Sequence, residues 1–343
     1  MVRPYYLSKS GRLSRKDNTL YFETEEVDPA QPEAKPKSVK RPIPVEDVDT
    51  LFIFGEVDLN TKVLNFLAQH KIAAHIFNYY GYYSGSYYPR EYLNSGFVTV
   101  KQVQHYIKPK LRINIAREFV LASAYNILRN LKYYHNRGVD LSLQIEPIQT
   151  EILNIEAAKE LTIPELMGKE GYIRSQYYQT FTTILKTDLE FTKRVRRPPD
   201  NIINALISFG NGMVYAACLS QIYRTTLNPT ISYLHEPGER RFSLSLDIAE
   251  VFKPILADRI IFKLLNNREL QESHFDQDLN YCYLKESGRR IFIAAFDEKL
   301  KTTIEHRKLK RKISYERLIR LECYKLVKHL TEMETYTGFR AWW

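Results

Sequence analysis

The hydrophobic pattern of this 343-residue chain changes its period near Ser95. Before that point, short segments rich in aromatic and β-branched residues end at Gly, Ser or Asn, which is typical of β-strands. One predicted helix, Asp58 to His70, interrupts them, because its leucines and valine recur at helical spacing behind an Asp cap. The predicted strands are Tyr5 to Leu7, Leu13 to Arg15, Thr19 to Glu23, Thr50 to Phe54, Ala73 to Tyr79 and Tyr82 to Tyr88.

Beyond Ser95 the apolar residues follow the period of amphipathic helices. Pro254 has no amide hydrogen to donate, so we expect it to kink the helix that contains it. The change of period predicts an α+β fold, with a small N-terminal β-rich domain over residues 1–95 and a larger all-helical C-terminal catalytic domain over residues 96–343. The predicted helices are Lys108 to His135, Gly171 to Leu185, Pro199 to Leu227, Leu246 to Leu265 and Phe296 to Leu330.

Cysteine usage and hydropathy indicate the compartment. Cys218, Cys282 and Cys323 are far apart and lie in apolar or helical sequence, which supports neither a disulfide framework nor a zinc knuckle. The N-terminus has basic residues without an apolar segment behind them, so we predict no secretory signal. No stretch approaches the roughly 18 apolar residues that a membrane span needs. We therefore expect a soluble, cytoplasmic protein that binds no membrane.

Basic residues outnumber acidic ones by 50 to 40, and much of the excess lies between Lys299 and Arg320. There, nine Lys or Arg oppose two Glu, a net charge of +7 in one predicted helical region. Such a region favours a polyanionic partner. A solvated helix face is the alternative, although such faces usually interleave more Glu. The candidate phosphate contacts in this region are Lys308, Lys310, Arg311 and Lys312.

The segment from Ser232 to Pro254 sets His235 in a Pro-Gly turn shortly before a helix that carries Asp247 and Glu250. Carboxylates three residues apart lie on one face of a helix, and the short loop lets the imidazole fold back over its first turns. An imidazole with carboxylates and no thiolate suits Mn²⁺ or Mg²⁺ better than structural zinc. The alternative is a solvated helix start, where acidic residues interact favourably with the helix dipole.

A cluster of tyrosines surrounds Gly81 and Gly85 and predicts a β-hairpin. Aromatic side chains at this density can stack on nucleic-acid bases. We favour a cross-strand aromatic ladder or a dimer contact instead, because aromatic pairs stabilise both. The tyrosine cluster comprises Tyr79, Tyr80, Tyr82, Tyr83, Tyr87 and Tyr88.

Five sequence elements follow one another along most of the chain. They are YYLSKSGRLSRKDNTLYF, FIFGEVDLN, a helix opening at GKEG, a helix from RRPP to NALISFGN, and LHEPGERRFSLSLDIAE. One such element is weak, whereas five in the same order are hard to obtain by chance. Together they resemble the CRISPR-associated integrase of the spacer-acquisition complex, the DNA endonuclease of CRISPR adaptation. The resemblance implies an N-terminal β domain and a C-terminal all-helical domain that holds one divalent metal.

Residue by residue, the resemblance implies that Glu170 of GKEG, His235 of LHEPG and Glu250 of LDIAE bind Mg²⁺ or Mn²⁺ and that Asp247 assists them as the fourth catalytic residue. Many family members have Asp at the position of Glu250. This departure leaves the third ligand open between Asp247 and Glu250, and the longer reach of the Glu side chain favours Glu250.

Three arginines lie near these ligands in sequence. Arg174, Arg240 and Arg241 are candidates to hold phosphate oxygens through charge-assisted hydrogen bonds, and ordinary surface arginines are the alternative.

The resemblance also implies a reaction and partners. The 3′-hydroxyl of a short incoming duplex attacks a phosphodiester at the border of a repeat, so the DNA partners are the incoming spacer DNA and the CRISPR repeat. The family pairs through its β domains as a homodimer, and two dimers flank a small ferredoxin-fold adaptation partner protein. The sequences FGNGMVY and LHEPGERRFSLSLD are most similar to those of the type I-B subgroup, where a RecB-like nuclease is a further partner.

Two alternatives remain from the residues themselves. The first is a related integrase or nuclease of a mobile element or a DNA repair pathway, with the same site and other substrates. The second is a non-catalytic DNA-binding scaffold, in which the acidic residues only cap helices and the basic stretch binds DNA.

Overall fold

A computed structural model of the chain describes residues 2–26, 35–187, 189–196, 198–238, 242–278 and 281–343. The chain divides into two compact units. The first unit comprises Met1–Tyr92 and Leu284–Ile293, and the second comprises Leu93–Tyr283 and Ala294–Trp343.

Strands dominate the first unit. They are β1 (Arg3–Leu7), β2 (Gly11–Lys16), β3 (Thr19–Glu26), β4 (Lys37–Pro44), β5 (Val48–Ile53), β6 (Val57–Asp58), β7 (Ala73–Phe77) and β8 (Tyr83–Tyr87). One four-stranded sheet has the order β4-β3-β2-β6, and the other has the order β1-β5-β7-β8. A single helix, α1 (Thr61–Gln69), begins where the side chain of Asn60 accepts a hydrogen bond from the amide of Val63 at 3.2 Å.

Burial explains why these residues form strands. In β3, buried and half-buried residues alternate over most of its length, which is the period of a strand with one covered face. β5 is buried along its whole length between β1 and β7, with which it pairs in parallel. Parallel strands covered on both faces are mostly apolar, and in β5 only Asp49 and Thr50 depart from this rule. Leu13, Leu20 and Leu51 from the strands share one core with Val63 and Phe66 of α1.

Helices dominate the second unit. They are α2 (Gly96–Ile107), α3 (Pro109–His135), α4 (Ser142–Ala157), α5 (Ile163–Gln179), α6 (Phe181–Ile184), α7 (Ile202–Ile222), α8 (Ser243–Lys253), α9 (Arg259–Asn266), the second half of α10 (Glu286–Lys301) and α11 (Tyr315–Leu330). Only α7 is long and apolar enough to span a membrane among the described helices, with a mean hydropathy of 1.6, and 83% of that window is buried inside the protein. This burial identifies α7 as a core helix.

The predicted all-helical C-terminal domain is wrong, because residues 96–343 contain two β-hairpins. One pairs β9 (Phe275–Asp278) with β10 (Tyr281–Leu284), and the other pairs β11 (Thr303–His306) with β12 (Arg311–Ser314). The second hairpin replaces the basic part of the predicted helix. Like charges three and four residues apart oppose a helix, and Lys310 takes the left-handed backbone conformation (φ 50°) that lets the chain reverse.

The backbone does not simply kink at Pro254. The chain leaves α8 at Lys253, forms one π-helical turn over Pro254–Asp258 and continues directly into α9. The side chain of Asn130 donates a hydrogen bond to the carbonyl of Pro254 at 2.7 Å. A side-chain amide therefore satisfies a carbonyl where the regular backbone pattern changes.

The last residues of the chain pack along α3. The side chain of Asn126 donates to the carbonyl of Phe339 at 3.0 Å and accepts from the amide of Ala341 at 2.7 Å. The amide of Gly338 donates to Glu118 at 2.9 Å, and the ring of Phe339 stacks on Phe252 of α8 with centroids 5.9 Å apart. This C-terminal strap, residues 336–343, links α3 with α8.

We predict that Gly338→Ala lowers the free energy of unfolding by about 1–3 kcal/mol, since an added Cβ overpacks this contact. The new atom would lie 2.6 Å from both the Cβ of Ala122 and the carbonyl oxygen of Glu118. Urea denaturation measures the change. Gly96→Ala is the matched control, because a Cβ there meets open space, and equal stabilities of the two variants would contradict the assignment.

Candidate metal centre and DNA interface

Helix α5 carries Glu170. A capping box starts the helix, in which the amide of Thr162 donates to Glu165 at 2.8 Å and the amide of Glu165 donates back to the hydroxyl of Thr162 at 3.4 Å. Leu166 and Ile173 are buried, which fixes the rotation of the helix. Glu170 therefore lies at the edge of the buried face, one turn before Arg174.

Helix α8 carries Asp247 and Glu250. Near its start, the hydroxyl of Ser243 donates to the carbonyl of Thr230 at 2.7 Å, and the hydroxyl of Ser245 donates to the carbonyl of Tyr215 at 2.7 Å. Both carboxylates are buried, with 0% of Asp247 and 6% of Glu250 exposed. Buried carboxylates require hydrogen-bond or charged partners, so the partners of these two define the site.

Asp247 holds the loop that contains His235. Its Oδ2 accepts hydrogen bonds from the amides of Tyr233 and Leu234 at 2.6 and 3.0 Å. Its Oδ1 lies 3.0 Å from the amide of His235 and 2.8 Å from Nδ1 of the same residue. These four bonds use the acceptor positions of the carboxylate and fold His235 back over α8, as the short loop predicted.

Glu170 and Glu250 meet through one guanidinium. Nε of Arg174 contacts Oε1 of Glu170, and Nη2 of Arg174 contacts Oε2 of Glu250. Nζ of Lys253 contacts the other oxygen of Glu250, and Nη2 of Arg174 also lies 3.4 Å from the hydroxyl of Ser123. Two carboxylates from different helices, far apart in sequence, therefore lie within reach of a single cation.

The electrostatics of Glu250 follow from these neighbours. Burial alone would raise the pKa of this carboxyl, but the charges of Arg174, Lys253 and His235 outweigh burial and lower its pKa to about 2. Glu250 is therefore ionised at neutral pH.

The donor set fits a hard or borderline divalent cation, because carboxylate oxygens and an imidazole nitrogen are its usual ligands. Within the described ranges, no group of three His, Cys, Asp or Glu side chains is arranged as a metal cluster. Instead, Arg174 and Lys253 occupy oxygens of Glu170 and Glu250. The assignment of Glu170, His235 and Glu250 as metal ligands therefore stays a proposal.

The predicted DNA contacts fall in three places. Arg174 is largely buried between two carboxylates and does not present its guanidinium to solvent. Arg240 and Arg241 lie outside the described residues. The remaining candidates belong to the β11–β12 hairpin and are exposed, although Lys308 also forms an ion pair with Glu334 at 3.0 Å; they are Lys308, Lys310, Arg311 and Lys312.

Sequence reasoning missed three residues beside the site. Lys253 is three residues after Glu250, a spacing that signals a helical ion pair and was available from the sequence. Ser123 on α3 and Asp258 in the π-helical turn had no such signal, since their proximity depends on tertiary packing. Asp258 is nevertheless buried and electrostatically coupled to Arg174.

Comparisons with known proteins give one consistent answer. The family described as CRISPR associated protein Cas1 matches residues 5–298. The curated CRISPR-associated endonuclease Cas1 3 of Thermodesulfovibrio yellowstonii is 53% identical over 342 residues, which cover 100% of both chains. A solved CAS1 protein from Thermotoga maritima has a TM-score of 0.84 and 41% identity, covering 99% of this chain and 100% of that chain.

A casposase solved with its integration product has a TM-score of 0.83 at 18% identity, over 99% of this chain and 93% of that chain, and shares the fold. The matches confirm the family suggested by the five sequence elements and the prediction of an enzyme of the endonuclease class. With a family match over most of its length and relatives aligned along all of it, the chain belongs to the CRISPR-associated Cas1 family.

Proposed function

We propose that this chain is the DNA integrase and endonuclease of a CRISPR adaptation complex and that it inserts short duplex DNA into a repeat array with Mg²⁺ or Mn²⁺. The observation that carries the proposal is the convergence of Glu170 and Glu250 on the guanidinium of Arg174, with His235 held by Asp247 on the helix that carries Glu250. Carboxylate oxygens and an imidazole nitrogen are the ligand types that such a divalent ion takes.

The proposed ligands are Glu170, Glu250 and Nε2 of His235. The hydrogen bond to Asp247 places the proton of the imidazole on Nδ1, so that Nε2 presents a lone pair. A carboxylate that orients a metal-binding histidine is a frequent partner in metalloenzymes. Because the oxygens of Asp247 already accept four hydrogen bonds, our proposal gives the third ligand to Glu250 and the orienting role to Asp247.

Phosphodiester exchange needs no protein nucleophile. When bound, a divalent ion neutralises phosphate oxygens and favours in-line placement of the attacking oxygen. In the exchange, the 3′-hydroxyl of the incoming duplex loses its proton and its oxygen forms a bond with a phosphorus of the target strand. The bond from this phosphorus to the target's own 3′-oxygen breaks, and that oxygen takes up a proton, so the number of phosphodiester bonds is unchanged. With water as the nucleophile, the same bond is hydrolysed, so integrase and nuclease share one site.

We predict that Glu170→Gln and His235→Ala each lower Mn²⁺-dependent strand transfer by more than about a hundredfold, since loss of even an orienting partner typically costs 10–100-fold. Asp247→Asn should lower the rate of strand transfer by only about 10–100-fold, because it alters the tautomer and position of His235. Transfer of a labelled duplex with a free 3′-hydroxyl into a repeat-containing plasmid measures the rates.

Glu160→Gln, an exposed substitution before α5, is the control and should keep the parent rate. Activity that survives in both Glu170→Gln and His235→Ala, or that is absent from the parent protein, would instead support a non-catalytic DNA-binding scaffold.

We further propose that the β11–β12 hairpin contacts duplex DNA. Five basic residues lie within six consecutive positions there and all are exposed: Arg307, Lys308, Lys310, Arg311 and Lys312. The ion pair between Lys308 and Glu334 is on the surface, and such pairs contribute little, so it does not prevent a phosphate contact. Phosphate contacts release counterions and make binding dependent on salt.

Changing Lys310, Arg311 and Lys312 together to Gln should weaken duplex binding and reduce the slope of log affinity against log salt by about 0.9 for each phosphate that the variant no longer neutralises. Fluorescence anisotropy at several salt concentrations measures the slope. The control changes the exposed Lys16, Lys37 and Lys62 to Gln, which removes the same charge elsewhere. Equal slopes for both triple variants would refute a specific role of the hairpin.

We also propose the assembly that the family resemblance implies: a homodimer paired through the domain of residues 1–95, a small ferredoxin-fold partner protein, and a RecB-like nuclease of the type I-B-like subgroup, all in the cytoplasm. The tyrosine cluster is the proposed dimer contact. Tyr83 and Tyr87 use their hydroxyls within the unit, at 2.7 Å from Ser86 and 2.9 Å from the carbonyl of Leu64. Tyr79 and Tyr80 are exposed.

If this contact forms, Tyr79→Ser combined with Tyr80→Ser should shift the protein from dimer to monomer in sedimentation velocity experiments, because exposed aromatic rings supply much of the energy of such contacts. Tyr133→Ser on α3 is the control, since Tyr133 is also exposed. An unchanged dimer in the double variant would place the contact elsewhere.

A further inference from the structure

The most unusual charge at the proposed metal site is Arg174. Only 11% of its side chain is exposed, and its guanidinium contacts Glu170 from its own helix and Glu250 from α8. Burial acts to lower the pKa of Arg174, but Glu250 and Glu170 outweigh it and raise the pKa well above its usual range. The residue is thus a permanent cation fixed between two of the three proposed ligands.

These contacts use the same atoms that a metal would need. Arg174 contacts Oε1 of Glu170 and Oε2 of Glu250, and Lys253 contacts the remaining oxygen of Glu250. A guanidinium and a divalent ion that share the same carboxylate oxygens repel each other at close range, where Coulomb energies are large in a buried site. Metal binding therefore requires Arg174 to give up at least part of these contacts.

We propose that Arg174 is an internal counter-ion that holds Glu170 and Glu250 together in the metal-free chain and competes with the divalent ion for them. This inference rests on the proposed metal function and deepens it. Arg174 is then a positioning residue that sets the metal affinity, rather than the phosphate contact that the sequence suggested.

The competition predicts an unusual effect of mutation. Arg174→Gln should bind Mn²⁺ alone at least about tenfold more tightly than the parent, since an opposite charge at this distance shifts a carboxylate equilibrium by 1–3 log units. The same variant should have a lower Tm in EDTA, because two carboxylates lose their partner, and a larger rise of Tm on addition of Mn²⁺. Arg174→Lys keeps the charge but cannot span both carboxylates. Its affinity for Mn²⁺ and its Tm should therefore lie between those of the parent and those of Arg174→Gln.

Electron paramagnetic resonance of free Mn²⁺ measures the affinity, and thermal denaturation in EDTA and in Mn²⁺ measures the stability. Arg259→Gln is the matched control, because this arginine donates to the side-chain oxygen of Asn130 at 2.6 Å. Its Tm should fall equally in both conditions. If Arg174→Gln and Arg174→Lys behave like this control and bind Mn²⁺ no more tightly than the parent, Arg174 is only structural and the inference is wrong.

If the proposed metal function is wrong, the binding measurements give a different result. In that case the parent and Glu170→Gln bind Mn²⁺ equally or not at all, and no competition exists for Arg174 to exert.

Discussion

The site depends on the hydrogen bonds that the buried carboxylate of Asp247 accepts. Three consecutive amides, from Tyr233 to His235, converge on its two oxygens and wrap the loop around α8. Without these acceptors, buried amide groups would each lose about 1–3 kcal/mol of stabilisation. The same carboxylate fixes Nδ1 of His235. The fold of the loop and the orientation of the imidazole therefore have one cause, although Asp247 binds no metal in our proposal.

On the other side of α8, two asparagines of α3 have a comparable role. Asn126 donates both to the carbonyl of Val251 and to Phe339 of the C-terminal strap, and Asn130 donates to the carbonyl of Pro254 and to the hydroxyl of Tyr177. Asparagine is a weak helix former, so two of them inside a long helix require a compensating contact. Here they satisfy carbonyls where Pro254 and the π-helical turn interrupt the backbone pattern, and they join α5, α8 and the strap to α3.

Periodicity predicted the strands, α1 and most of the long helices, because the covered faces of these elements impose their spacing on the sequence. It failed where tertiary pairing decides. Residues 37–44 are not among the predicted strands but form β4, and Pro42 and Pro44 are tolerated because β4 is an edge strand. The basic stretch after Lys301 looked helical but forms a hairpin. In the site, local spacing indicated that Asp247 and Glu250 share one helix face. The prediction that Glu170 of α5 lies beside α8 came only from the family resemblance.

Arg174 shows why local spacing was insufficient. Glu170 and Arg174 are four residues apart, a pair that is usually solvated and weak. Here the pair has a different role, because Glu250 approaches from another helix and Arg174 is largely buried between the two carboxylates. A buried carboxylate without a partner, such as Glu250 would be, is costly. Carboxylates that converge for a divalent ion need a cation in every state of the protein. If Arg174 meets this need, a stronger internal pair improves the stability of the metal-free fold and lowers its affinity for metal, so one side chain balances stability against function.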